Sequence, residues 1–245
     1  MTNFIVLGLV LSYIEFSNAM HKGLNGTNKQ FPYIVSIHHH DDRFGWQDMK
    51  FPPGYFPTPY CGGSILNETA VLTAAHCCEA NRHHYRKVLA GTSDWTKREN
   101  AQWAKVVNFT LHPNWTGTDK LYANPDRVSV AYDVCVLKLK SPGLKLNDKV
   151  KAINLGGKIP KGGAKCTIAG WGDTVPTLGP QKNSNHLQYL NVKTQSKQGC
   201  QYPPSWEARK TLKRTVNVIF EENVEVCAGS KVIFYTLWVQ EKQYA

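Results

Sequence analysis

Short runs of β-branched and aromatic residues, cut apart by glycine, proline and asparagine, set the strongest constraint on this chain. They read YIVSIHHH, GGSILN, AVLTAAHCC, YRKVLAG, AKVVNFTLHP, DVCVLKLK, KCTIAGWG and LQYLNVKT, from Tyr33 to Thr194. Runs this short and this dense predict an all-β barrel or sandwich, not alternating βαβ units. The one stretch with helical spacing is EARKTLKRT, where Arg209, Lys210, Lys213 and Arg214 would share one side of a helix. A length of 245 residues allows one large domain or two small ones. No repeat of fixed period is present, and the cluster SPGLKLNDK, Ser141 to Lys149, predicts a hinge between two halves.

The first residues, MTNFIVLGLVLSYIEFSNA, carry an apolar run from Phe4 to Leu11 followed by small residues at Ser17 and Ala19. That run is too short to span a bilayer and predicts a secretory signal over residues 1–19; the alternative is a buried N-terminal strand. Secretion places the seven cysteines in an oxidising compartment, where disulfides are expected rather than metal ligands. Seven is odd, so one thiol is free or lacks its partner. Sequons at Asn25, Asn67, Asn108 and Asn114 agree with a secreted, extracellular glycoprotein.

The formal charge of +11 implies a field that attracts acidic surfaces or glycosaminoglycan-like polyanions. Nothing in the chain resembles a nucleic-acid-binding fold, and neither a nucleic-acid nor a membrane partner is expected. The segment from His38 to Tyr60, rich in proline, glycine and aromatics, is expected to form a long surface loop. His38, His39 and His40 with Asp41 and Asp42 raise the question of a metal, as do His83 and His84. Neighbouring histidines on an extended chain point to opposite sides, so no metal site is expected there.

The stretch CGGSILNETAVLTAAHCC, Cys61 to Cys78, carries a strand into small residues around His76, where an imidazole is reachable from a cleft. YDVCVLKL, Tyr132 to Leu139, places Asp133 at the head of an apolar strand. A buried carboxylate there can accept a hydrogen bond from one ring nitrogen of His76, which fixes the tautomer and leaves the other nitrogen as a general base. AGWGDT, Ala169 to Thr174, follows.

In this order, FPYIVSI, CGGSIL, VLTAAHC, LHPNW, YDVCVLKL, KCTIAGWGDT and VCAG closely resemble the trypsin/chymotrypsin family of serine endopeptidases, over about Gly26 to Gly229. The resemblance implies two antiparallel six-stranded β-barrels with the cleft between them, His76 as catalytic base and Asp133 as its orienting carboxylate. It places a peptidase domain at residues 23–229, with a first barrel at 23–140 and a partial second barrel at 150–229. The family needs no cofactor and acts on protein or peptide substrates.

Two departures follow. In the family, Gly-Asp-Ser-Gly-Gly comes soon after the CAG turn and supplies nucleophile and oxyanion hole; here no serine follows Ser230. Residues 230–245 are therefore expected to be a non-family tail, the second barrel incomplete, and the chain as written inactive. The activation cut matches Lys22, giving a pro-segment at 20–22, but Gly23 and Leu24 stand where an Ile or Val should begin the mature chain; an ungapped match starts at Met20-His21 instead. By resemblance Cys61 pairs with Cys77 and Cys200 with Cys227. Cys78 and Cys135 come together if His76 and Asp133 do, and Cys166 is left as a free thiol. VIFYTLWV, Val232 to Val239, beside an open barrel edge is expected to promote aggregation rather than add itself as a strand. The alternative function is a non-catalytic homologue that binds a polyanion or a protease partner; a monomer is expected in either case.

Overall fold

A computed structural model describes residues 4–5, 23–40, 58–79, 85–117, 127–129, 132–156, 160–172, 183–194, 217–219, 225–230 and 233–238. In chain order its elements are β1 (Phe4–Ile5), β2 (Leu24–Asn25), β3 (Ile34–His40), β4 (Pro59–Asn67), β5 (Ala70–Thr73) and α1 (Ala75–Glu79). There follow β6 (Tyr85–Ala90), β7 (Gln102–Leu111), β8 (Arg127–Ser129), β9 (Cys135–Leu139), β10 (Lys165–Gly170) and β11 (Gln188–Thr194). The last are β12 (Asn217–Ile219), β13 (Glu225–Ser230) and β14 (Ile233–Trp238). The protein is nearly all-β.

Six strands close into a barrel in the order β3-β4-β5-β9-β7-β6, every pairing antiparallel. Alternation explains its inside: Val35 and Ile37 of β3, Val88 and Ala90 of β6, and Leu137 and Leu139 of β9 are all buried in one core. The tight β4–β5 hairpin is held by Asn67, whose Oδ1 accepts from the Thr69 amide at 2.9 Å and the Thr69 hydroxyl at 3.2 Å.

The segment after β9 does not behave as a free hinge. Leu144 and Val150 are buried in the barrel core, the Leu144 amide donates to the Glu68 carbonyl at 2.7 Å, and Gln102 bonds both the amide and the carbonyl of Lys145. Buried apolar side chains and backbone bonds among turn residues fasten the segment, and composition alone hides them. A second expectation also changes: His38, His39 and His40 continue β3, with His38 buried on the outer face of the barrel, beside Trp95 and Trp103, and bonded to Ser36 Oγ at 2.8 Å. His39 instead stacks on Tyr60 at 3.8 Å, so these two rings leave the strand in different directions. The surface-loop reading therefore fails at both ends of that segment, since Pro59 and Tyr60 open β4; residues 41–57 lie outside the described ones.

The second sheet runs β1-β10-β11-β13-β14, with β2 also on β11, and it is not closed among the described residues. β8 and β12 pair in parallel as a separate two-stranded piece. A second core of Phe31, Tyr33, Leu89, Trp95, Trp171 and Leu187 joins the barrel to the sheet. Trp95 Nε1 donates to the Ser184 carbonyl at 3.0 Å and Trp171 Nε1 to the Ser93 carbonyl at 3.1 Å, so each indole crosses the seam. Contrary to the sequence expectation, Ile233 to Trp238 pairs antiparallel with β13 over its full length. Backbone pairing needs no polar alternation, and the unpaired edge of β13 supplies the partner groups. At the other edge Phe4 and Ile5 lie parallel to Cys166 and Thr167.

Helix α1 is held against the barrel from below. Arg86, on the inward face of β6 and 4% exposed, donates through Nη2 to the Cys78 carbonyl and through Nε to the Tyr60 hydroxyl at 2.9 Å. The Tyr60 hydroxyl in turn donates to the Cys77 carbonyl at 3.4 Å, and the guanidinium lies 5.3 Å from the Phe109 ring centre. The last carbonyls of the helix thus gain partners that a five-residue helix cannot supply itself. Burial pushes the Tyr60 phenol up to about 12, although the Arg86 charge and hydrogen bond act the other way.

Because the folded phenol titrates above its unfolded value, its stabilising contribution is complete below pH ~10 and disappears as the pH rises through ~12. Alkaline destabilisation over that window should therefore be smaller in Tyr60→Phe by roughly 2–3 kcal/mol, measured by urea unfolding at stepped pH. Equal losses in parent and variant would show that Tyr60 ionises freely in the folded state.

Candidate active site

The site begins where β5 ends. Thr73 is buried and its hydroxyl donates to the Gly62 carbonyl at 2.8 Å, while its register partner across the sheet is Cys135. Strand β5 leads directly into α1 with His76 in its first turn, and β9 begins two residues after Asp133. The antiparallel register therefore brings together two residues 57 apart in sequence.

Asp133 is 0% exposed, and its carboxylate accepts two hydrogen bonds from one residue. The His76 amide donates to Oδ1 at 2.8 Å and His76 Nδ1–H to Oδ2 at 2.6 Å. A carboxylate can only accept, so the ring proton of a neutral His76 sits on Nδ1 and Nε2 keeps its lone pair. The His76 side chain is 11% exposed, enough for a proton to reach it from a cleft.

A backbone device aims the carboxylate. Tyr132 adopts the left-handed region with φ 63°, uncommon for a residue with a bulky side chain, and the Val134 amide donates to the Tyr132 carbonyl at 2.7 Å. The His112 ring stacks on Tyr132 at 4.8 Å, and the His112 amide donates to the Val134 carbonyl at 2.9 Å. Burial lowers the His112 pKa, which favours a neutral ring in that stack. Strain of this kind persists only where the surroundings fix it, and here it lies beside the one buried carboxylate bonded to His76.

Two disulfides tie α1 to the two strands that flank β5. Cys61–Cys77 links it to β4 with Cα atoms 6.2 Å apart, and Cys78–Cys135 links it to β9 at 6.6 Å. Cys166 is a free, buried thiol whose pKa is raised by that burial. Cys200 lies outside the described residues, and Cys227 sits in β13. Asn25, Asn67, Asn108 and Asn114 are all exposed. The structure does not gather the histidine-rich segment: His38 is buried on the outer face of the barrel beside Trp103 while His39 stacks on Tyr60, and His83, His84, Asp41 and Asp42 lie outside the described residues. The basic stretch around Arg209, Lys210, Lys213 and Arg214, and Lys22, lie outside them as well.

Sequence reasoning passed over Arg86, Tyr60 and Tyr132. A signal existed for Arg86, which shares its strand face with Val88 and Ala90 and so occupies an inward position. None existed for Tyr132, whose role is in its backbone.

Comparison with known proteins places this geometry. A family model described as Trypsin matches residues 21–230. Among curated proteins, granzyme-like protein 2 of Rattus norvegicus is 38% identical over 144 residues, covering 58% of this chain and 50% of that protein. Kallikrein-8 of Mus musculus is 34% identical over 146 residues, covering 58% and 51%, and trypsin beta of Drosophila erecta 30% over 140, covering 57% and 49%. The chain thus spans about half the length of the curated relatives it matches. The solved structure of neuropsin, titled a serine protease expressed in the limbic system of mouse brain, shares the fold with TM-score 0.59 and 24% identity, over 86% of this chain and 75% of that one. With the family model spanning most of its length, this chain belongs to the trypsin family of serine proteases.

Proposed function

We propose that the chain is a secreted endopeptidase by descent, with His76 as general base and Asp133 as its orienting carboxylate, and that residues 1–245 alone do not hydrolyse peptide bonds. The observation that carries this reading is the 2.6 Å bond from His76 Nδ1 to a fully buried Asp133. In acyl transfer the proton of an attacking hydroxyl goes to Nε2 and is then passed to the leaving amine, while the carboxylate stabilises the imidazolium between the two steps. His76 and Asp133 are equipped for both transfers.

Attack itself needs a serine on a glycine-lined turn, with backbone amides facing the developing oxyanion. Within these residues no Gly-Asp-Ser-Gly-Gly occurs, and Ser230 stands directly in β13. Joined to a segment that bears the nucleophile, the pair would act on protein or peptide substrates. Secretion is supported by the apolar leader at residues 1–19 and by the exposure of all four sequon asparagines; Lys22 is the proposed activation cut. Among the described residues no helix is long and apolar enough to cross a membrane.

The 245-residue chain should give no peptidase activity above background and no covalent adduct with a fluorophosphonate serine probe. Labelling of any serine that disappears in His76→Ala would overturn the inactive assignment.

A second reading rests on a separate observation. An open groove of about 430 Å³ is lined by Lys29, Lys97 and Lys149, with Glu99 as its acidic residue, on a chain of formal charge +11. Such a groove suits a sulfated polyanion held mainly by charge. Retention on a sulfated-polysaccharide column should fall when all three lysines are changed to glutamine; unchanged retention would remove this groove as the binding surface.

A further inference from the structure

The corner between α1 and β4 gathers three donor atoms of a kind that bind metal. Cys61 Sγ, Cys77 Sγ and a ring nitrogen of His76 lie within 4.8 Å of one another, with His76 Nε2 3.4 Å from Cys77 Sγ. Ligands at ordinary zinc distances stand roughly 3.5 Å apart around a tetrahedron, so this nitrogen and sulfur already have the needed spacing. While the sulfurs are bonded to each other they offer no thiolate. We propose that reduction of the Cys61–Cys77 disulfide turns this corner into a Cys₂His site for zinc or a similar borderline-soft divalent cation, with Asp133 orienting the ligand imidazole.

Three features support retention of the geometry once that bond is open. Cys78 and Cys135 are 0% and 1% exposed, so their disulfide is shielded from a reductant that reaches the partly exposed Cys61, and it keeps α1 on β9. The His76 amide and ring remain bonded to Asp133, and Tyr60 and Arg86 still hold the Cys77 and Cys78 carbonyls. Cys61 is a barrel residue paired in register with Ile37, so its position does not depend on the disulfide.

The chemistry balances with a dithiol as reductant. Its thiolate attacks Cys61 Sγ, the Cys61–Cys77 bond breaks and Cys77 leaves as thiolate. The second thiol of the reagent then closes its own disulfide and releases Cys61. Two electrons enter the protein and the reagent is oxidised to its disulfide. The cation binds two thiolates and Nε2, the two thiol protons pass to the buffer, and water completes the tetrahedron. Nδ1–H stays on the Asp133 carboxylate, the arrangement that orients a ligand histidine and raises its basicity. A cation on Nε2 occupies the lone pair assigned above to proton transfer, so the two uses exclude each other. The metal site itself requires only the ligand geometry and stands whether or not the proteolytic reading does.

The test uses the full chain, reduced with a dithiol that is then removed without air, and titrated with Co²⁺. The expected result is one equivalent bound with tetrahedral visible bands and a thiolate-to-cobalt band in the near ultraviolet, absent from the oxidised protein, displaced by Zn²⁺, and weakened at least about 10-fold in Cys61→Ser and in His76→Gln. No tetrahedral spectrum would overturn the proposal. So would binding unchanged in both variants, which assigns it to other cysteines, or loss of the near-ultraviolet dichroism of the packed aromatics on reduction, which shows that the corner does not survive.

Discussion

A carboxylate with no contact to solvent must be paired, and in this protein the pairing of Asp133 organises everything around it. Both oxygens are taken by one residue, His76, through its amide and its ring. Removing His76 would leave a buried charge, at a cost of about 3–5 kcal/mol, and removing Asp133 an unsatisfied donor, at about 1–3 kcal/mol. The two hydrogen bonds together fix the start of α1, the orientation of the imidazole and its tautomer. It also explains why Tyr132 is held at positive φ: the turn carries the carboxylate to the helix.

The two halves of the molecule support this interaction unequally. The closed barrel pairs each of its six strands on both sides, and two disulfides and the Arg86–Tyr60 pair anchor α1 to it. The second sheet meets the barrel through a seam of tryptophans and is not closed among the described residues. His76 and Asp133 both belong to the barrel side, so the pair is complete without help from the second sheet.

Short β-rich runs pointed to a barrel or sandwich and local motifs to a hydrogen bond between His76 and Asp133, while the six-stranded barrel and the Cys61–Cys77 pair came from the resemblance to the trypsin family. Small residues flank the histidine, and an apolar strand follows the aspartate. Sequence reasoning misplaced features in which tertiary context overrides composition. Three consecutive histidines look polar, yet His38 is buried, bonded to the Ser36 hydroxyl and packed beside Trp95 and Trp103. Leu144 and Val150 in the core, with bonds to Glu68 and Gln102, convert an apparent hinge into a fastened segment. The last apolar run offered no alternation to place it, but β13 needed a neighbour for its backbone and Ile233–Trp238 supplies one. Helix α1, at five residues, is too short for periodicity to reveal and exists because its ends are held.

The central claim is that a buried Asp133 dictates where the proton sits on His76. Long-range ¹H–¹⁵N correlation spectra of the histidine rings test it directly, recorded where the imidazole is neutral. The account predicts a proton on Nδ1, far downfield and slow to exchange with water, a bare Nε2, and loss of the Nδ1–H resonance in Asp133→Ala. A ring protonated on Nε2, or an Nδ1–H signal unchanged by Asp133→Ala, would contradict it.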